Sequence, residues 1–99
     1  AKQIHDRDLA KDLANEATIE LSLVNASLIS GDQKMLKDAH RQYQKTLDQL
    51  NSNSYVATNH SDLLQELNDY NSVLSPEEKD AHLVKLHTAI LMLEKEMQN

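Results

Sequence analysis

The chain has 99 residues and a formal charge of −6, from ten Lys and Arg against sixteen Asp and Glu. It holds one Gly, one Pro, three Tyr and no Cys, Phe or Trp. Disulfides, zinc–thiolate sites, iron–sulfur sites and cysteine nucleophiles are thereby excluded. An all-β fold or a Gly-rich phosphate loop would need more turn residues, and the acidic balance argues against nucleic acid or an anionic membrane surface as the main partner.

The chain opens Ala1-Lys2-Gln3-Ile4 without Met, as expected of a chain that either lost its start or was cut from a longer protein. No run of about 18 apolar residues and no basic-then-apolar leader occurs. Residues 3–30 carry no Gly or Pro, and Ala10, Ala14, Ala17, Leu21, Val24 and Leu28 recur at 4-3-4-3-4 spacing, one stripe of a helix. Leu9, Leu13, Leu23 and Ile29 would widen that stripe. Its Ala-rich half lets another helix approach closely, either a partner's or one within the same chain. Gly31, the only glycine, is placed to cap this helix in the left-handed conformation, and Asp32 to cap the next.

A second helix is expected over 33–50, with Leu36, Ala39, Tyr43, Leu47 and Leu50 on one face and a polar outer face that includes Lys34, Asp38, Arg41 and Lys45. Asn51-Ser52-Asn53-Ser54 breaks the pattern, because these side chains compete for backbone hydrogen bonds. Tyr55, Val56 and Ala57 either begin the third helix early or form a packed loop. The third helix is clear over 61–73, with Ser61 as N-cap and Leu63, Leu64, Leu67, Tyr70 and Leu74 in its pattern. Ser75-Pro76-Glu77-Glu78 then reads as a capping box with Pro at the first helical position. The fourth helix, 76–97, carries Leu83, Leu86, Ile90, Leu93 and Met97 at 3-4-3-4 spacing, and Val84 and Leu91 would add a flank toward a second neighbour. The expected fold is therefore all-α: a single domain over 1–99, an antiparallel up-down-up-down four-helix bundle with both chain ends at the same end.

The pattern offers little catalytic chemistry. The five histidines are His5, His40, His60, His82 and His87. Two metal ligands on one helix face need i, i+3 or i, i+4 spacing, and His82 and His87 stand about 140° apart around a helix axis. Glu78 and His82 are four apart, but a helical di-metal site needs Glu-x-x-His, so no metal ligands and no cofactor are assigned. A phosphotransfer histidine would want a small residue one turn on, and His40 is followed there by Gln44, His87 by Leu91. No serine sits in a Gly-x-Ser-x-Gly turn, so no catalytic residue is assigned and no enzyme is expected. Arg7 and Arg41 are the only arginines. Guanidinium suits bidentate capture of a small anion, so His40 with Arg41 is the candidate ligand-binding pair.

The run Asn25-Ala26-Ser27-Leu28-Ile29-Ser30-Gly31-Asp32-Gln33-Lys34-Met35-Leu36, followed by Ala39, Tyr43, Leu47 and Leu50, resembles the corner between the first two helices of the extracytoplasmic four-helix sensor domains of bacterial chemoreceptors and sensor histidine kinases. The resemblance implies a periplasmic domain of a membrane-spanning inner-membrane receptor, whose long first helix and last helix continue into membrane spans. It implies binding of a small molecule or a periplasmic protein, relayed through those two helices. The lack of cysteine fits that compartment. The chain lacks the Gln-Arg-Met-type motif of nitrate-sensing relatives, and no family ligand residue carries over onto a position here. A homodimer is expected. The competing expectation is a soluble helical protein–protein interaction module of immunity or adaptor type.

Overall fold

The computed structural model describes residues 2–72 and 75–97, with side chains at 5–72, 75, 78 and 81–97. Five helices follow in chain order: α1 (Lys2–Ser30), α2 (Gln33–Asn51), α3 (Ser54–Asn59), α4 (Ser61–Ser72) and α5 (Pro76–Met97). No strand occurs among the described residues, so the chain is all-helical. The expected third-helix end at 73 and the place of Leu74 lie outside the described residues.

α1 has 29 residues, about 44 Å at 1.5 Å per residue. The molecule measures 44 × 22 × 20 Å, so this one helix runs its whole length. α1 lies against α2, α3 and α5, and α4 lies against α2, α3 and α5. Among the described residues, α1 does not meet α4 and α2 does not meet α5.

One apolar core links these helices. Ala10, Leu13, Ala14, Ala17 and Leu21 of α1 meet Tyr43, Leu47 and Leu50 of α2, Val56 of α3, Leu63, Leu67 and Tyr70 of α4, and Leu86, Ile90, Leu93 and Met97 of α5. Each fully buried Leu or Ile contributes about 1.5–3 kcal/mol relative to exposure. The Ala stripe is thus buried inside the chain itself, and the reading in which it awaits a partner helix is set aside for that stripe.

The turn between α1 and α2 is built as the sequence implies. Gly31 takes φ +76°, a left-handed conformation that favours glycine. Its N–H and that of Asp32 both donate to the Ser27 carbonyl, at 2.9 and 3.2 Å, closing the end of α1. The Asp32 carboxylate then accepts from the Met35 N–H at 3.0 Å and caps α2.

Between α2 and α4 the structure departs from the four expected helices. Residues 54–59 form the separate helix α3. Asn53 is its N-cap, accepting from the Val56 N–H at 3.0 Å. The same side chain donates to the Asp6 carbonyl at 3.0 Å, and Ser54 Oγ bonds the Asp6 carboxylate. An amide that serves both a helix cap and the backbone of α1 is buried with its hydrogen bonds made. His60 ends α3, and its carbonyl accepts from Leu63 and Leu64, so Ser61 is the first residue of α4 rather than the cap before it. At α5, Ser75 Oγ accepts from the Glu78 N–H at 3.2 Å, the cap that the Ser-Pro-Glu-Glu run specifies.

Two apolar expectations are corrected. The stripe of α1 continues from Val24 to Ser27, which is 1 % exposed, while Leu28 is 60 % exposed. A spacing of three keeps the stripe on the buried side, and Ser27 Oγ donates to the Leu23 carbonyl at 2.7 Å, which makes its burial tolerable. Leu9, Leu23 and Ile29 are also exposed, as are Val84 and Leu91 on α5, whereas Leu13 of the expected α1 flank is buried in the core.

This register makes a measurable distinction. Leu67→Ala removes a fully buried side chain and is expected to lower stability by about 2–5 kcal/mol. Leu28→Ala is expected to change it by less than about 0.5 kcal/mol. Urea unfolding followed by circular dichroism distinguishes the two.

Candidate functional site

The polar chemistry of the molecule lies in seams between paired helices. A cleft of about 390 Å³ opens along α1 and α2, lined by Glu20 and Leu23 on one side and by Asp32, Met35, Asp38 and Gln42 on the other. It continues toward Glu16, Ile19, Lys45 and Gln49. The helical period sets this arrangement: Glu16, Glu20 and Leu23 recur at 4-3 spacing on the α1 face beside α2.

Beneath the cleft sits a polar group of residues. Thr46 is buried, and its hydroxyl bonds the Glu20 carboxylate. Desolvation raises the Glu20 pKa above the ordinary 4.5; the Thr46 hydrogen bond works against that rise and Glu16 adds to it. Glu20 Oε1 itself has no hydrogen-bond partner. Tyr43, 2 % exposed, has its hydroxyl buried without a partner. Burial, with Tyr70 and Glu20 nearby, pushes the Tyr43 pKa well above the usual phenol value. Tyr43 therefore remains a neutral phenol at any working pH, with a donor proton at the base of the α1–α2 seam.

His40 and Arg41, the pair expected from sequence, are both exposed on α2 and line none of the clefts described. Arg41 Nη1 lies 3.7 Å from Asp38 Oδ1 one turn earlier. That exposed pair already balances the guanidinium charge. Arg7 likewise stands 3.9 Å from Asp8.

Sequence reading did not find a third group. Glu66 and Asp69 on α4 and His82 on α5 bring one ligand atom each to within 4.8 Å of one another. His82 had been weighed only against residues of its own helix. The partners come from the neighbouring helix, and the i, i+3 spacing of Glu66 and Asp69 is the signal that was present. One pair of helix ends is also joined by a histidine: His60 Nε2 lies 3.5 Å from Glu96 Oε2, and its ring is tilted against Tyr55 with centroids 5.8 Å apart. No helix among the described residues is long and apolar enough to cross a membrane. Comparison with protein-family models, curated proteins and solved structures yields no match to this chain.

The raised Glu20 pKa has a definite sign. Its folded form holds the proton more tightly than the unfolded chain, so its favourable contribution is complete below pH 4.5 and is lost as pH rises through the folded value. Glu20→Gln keeps an oxygen acceptor for Thr46 and removes the desolvated charge. The variant is expected to melt at a higher temperature than the parent at pH 7, with the difference closing below pH 4.5. Calorimetric scans across pH measure both.

Proposed function

We propose that this domain is the sensor module of a membrane-anchored bacterial signalling receptor, periplasmic in location, which converts ligand or partner binding into a displacement of its first and last helices. The observation that carries the reading is the placement of α1 and α5. The Asp6 contacts with Asn53 and Ser54 set the start of α1 beside the end of α2. His60 and Glu96 set the end of α5 beside the start of α4, one short helix further on. Both outer helices thus approach the same end of the molecule, and Thr18 and Glu94 bond each other where they run together.

The same contacts favour an antiparallel up-down-up-down bundle of α1, α2, α4 and α5, with α3 as the corner. α1 touches α2 and α5, α4 touches α2 and α5, and the two diagonal pairs stay apart. Gln44 Nε2 donates to Asn71 Oδ1 at 3.1 Å across the α2–α4 side. In such a bundle, helix shifts of about 1–2 Å are an established way to carry a signal. The ligand would be a small polar or anionic molecule held at the α1–α2 cleft, where Glu20 offers an acceptor and Lys34 and Gln42 offer donors, with the exposed His40 and Arg41 on the same helix α2.

A second reading, a helical protein–protein interaction module, is favoured by a specific feature. Ile19, Leu28, Ile29, Val84 and Met92 are all more than half exposed, and solvent-facing apolar side chains in such number suit contact with another protein or a second copy of the chain.

The two readings separate in one experiment. Asp8 and Lys95 are exposed, one on each outer helix. Spin labels at Asp8→Cys and Lys95→Cys report their separation while amino acids, organic acids and inorganic anions are screened by thermal shift. The sensor reading expects a stabilising compound that also moves the label distance by about 1–2 Å. Stabilisation by a protein partner alone, with no small-molecule response, supports the interaction module and overturns the sensor.

A further inference from the structure

We propose that Glu66, Asp69 and His82 form a site for a divalent transition-metal ion that ties α4 to α5. Three observations support it. The first is convergence: one oxygen from each carboxylate and one imidazole nitrogen lie within 4.8 Å of one another, from two different helices. The second is that two of these donors are sequestered and unused. Glu66 Oε2 and His82 Nδ1 are both shielded from solvent and have no hydrogen-bond partner. A buried polar atom without a partner is unfavourable, and here two of them belong to side chains of one cluster. The third is spacing. None of the three forms an ion pair with another within 4.0 Å among the described residues, so the donors do not satisfy each other. Donors on a tetrahedral ion at about 2.1 Å stand about 3.4 Å apart, so the three side chains would close in slightly on an ion.

The donor set decides the class of ion. One imidazole with two carboxylates suits zinc, manganese, iron, cobalt or nickel, whereas calcium and magnesium prefer all-oxygen shells. Three protein ligands leave a position for water, as in open zinc sites. The geometry on the helices is compatible with this. Glu66 and Asp69 are one turn apart on α4 and so share a face. His82 lies in the second turn of α5, directly across from them. A bound ion would fasten the α4–α5 hairpin on the side of its turn. His60 Nε2 and Glu96 Oε2 lie 3.5 Å apart at its open end. The site stands apart from the α1–α2 cleft, so this inference does not depend on the sensor reading.

The test uses the untagged 99-residue chain. Cobalt(II) is titrated and followed by its visible absorption, with zinc competition giving the affinity. We expect one equivalent bound, displaced by zinc and not by millimolar calcium or magnesium. At hundredfold excess over Kd, zinc should raise Tm by about 10 °C or more. Glu66→Gln and His82→Ala should each weaken binding at least about 10-fold, the scale on which even the outer partners of metal ligands act. His40→Ala and His87→Ala should leave it unchanged. Glu66→Gln conserves shape, so a loss of cobalt absorption with an unchanged circular-dichroism spectrum reports ligation and not misfolding. Binding that survives both Glu66→Gln and His82→Ala, or no cobalt signal in the parent chain, overturns the proposal.

Discussion

The small side chains of α1 set the spacing of everything else. Ala10, Ala14 and Ala17 are buried in the longest helix, which touches α2, α3 and α5. Helix axes approach to about 8–10 Å according to the side chains between them. A single methyl at each of these three positions leaves room for a close approach, while the bulk of the core comes from Leu and Ile of the other helices. A larger residue at Ala14 would have to displace Leu or Tyr side chains that are themselves fully buried, and overpacking of that kind costs about 1–3 kcal/mol.

Polar groups then fix which end of each helix meets which. Apolar packing alone is non-directional, and an all-helical core of Leu, Ile and Ala could slide along its own ridges. Asn53 opposes that sliding, since its amide must cap α3 and reach the Asp6 carbonyl at the same time. The α3 corner therefore locks α1 to the end of α2. Gly31 and Asp32 lock the opposite end of that pair through the Ser27 carbonyl and the Met35 N–H. α4 joins α2 through the exposed Gln44–Asn71 hydrogen bond, and α5 joins α1 through Thr18 and Glu94. The hairpin of α1 and α2 is thus fastened by hydrogen bonds at both ends.

The residues explain how far a reading of the sequence could reach. Helix positions followed from 3.6-residue periodicity and from two local signals, Gly31 with its left-handed φ and the Ser75 cap on Glu78, each of which acts within a few residues. The helix α3 was hidden because its stabilising partner, Asp6, is 47 positions away from Asn53. Leu28 and Val84 have the right spacing for burial and are exposed; periodicity states which residues share a face, not whether another helix covers it. The functional chemistry was least legible. His40 and Arg41 are adjacent in sequence and both face solvent, whereas Glu66, Asp69 and His82 converge only because α5 folds back on α4.

The buried polar atoms that lack partners sharpen this point. Among the described residues they belong to Glu20, Tyr43, His60, Glu66 and His82. A helical domain whose only task was to be stable would replace several of them with apolar groups of similar volume, because a lone buried polar atom costs more than a hydrogen bond returns. These five instead fall on two seams: Glu20 and Tyr43 where α1 meets α2, and Glu66, His82 and His60 along α4 and α5. Each seam combines a carboxylate with a neutral donor or an imidazole, and each joins two helices whose relative position a bound group could change. The unfavourable term in the folded chain is then the favourable term on binding, since a ligand that completes those hydrogen bonds or coordinates those donors recovers the desolvation already incurred. A group that completed either set would therefore bias the placement of the two helices that form that seam.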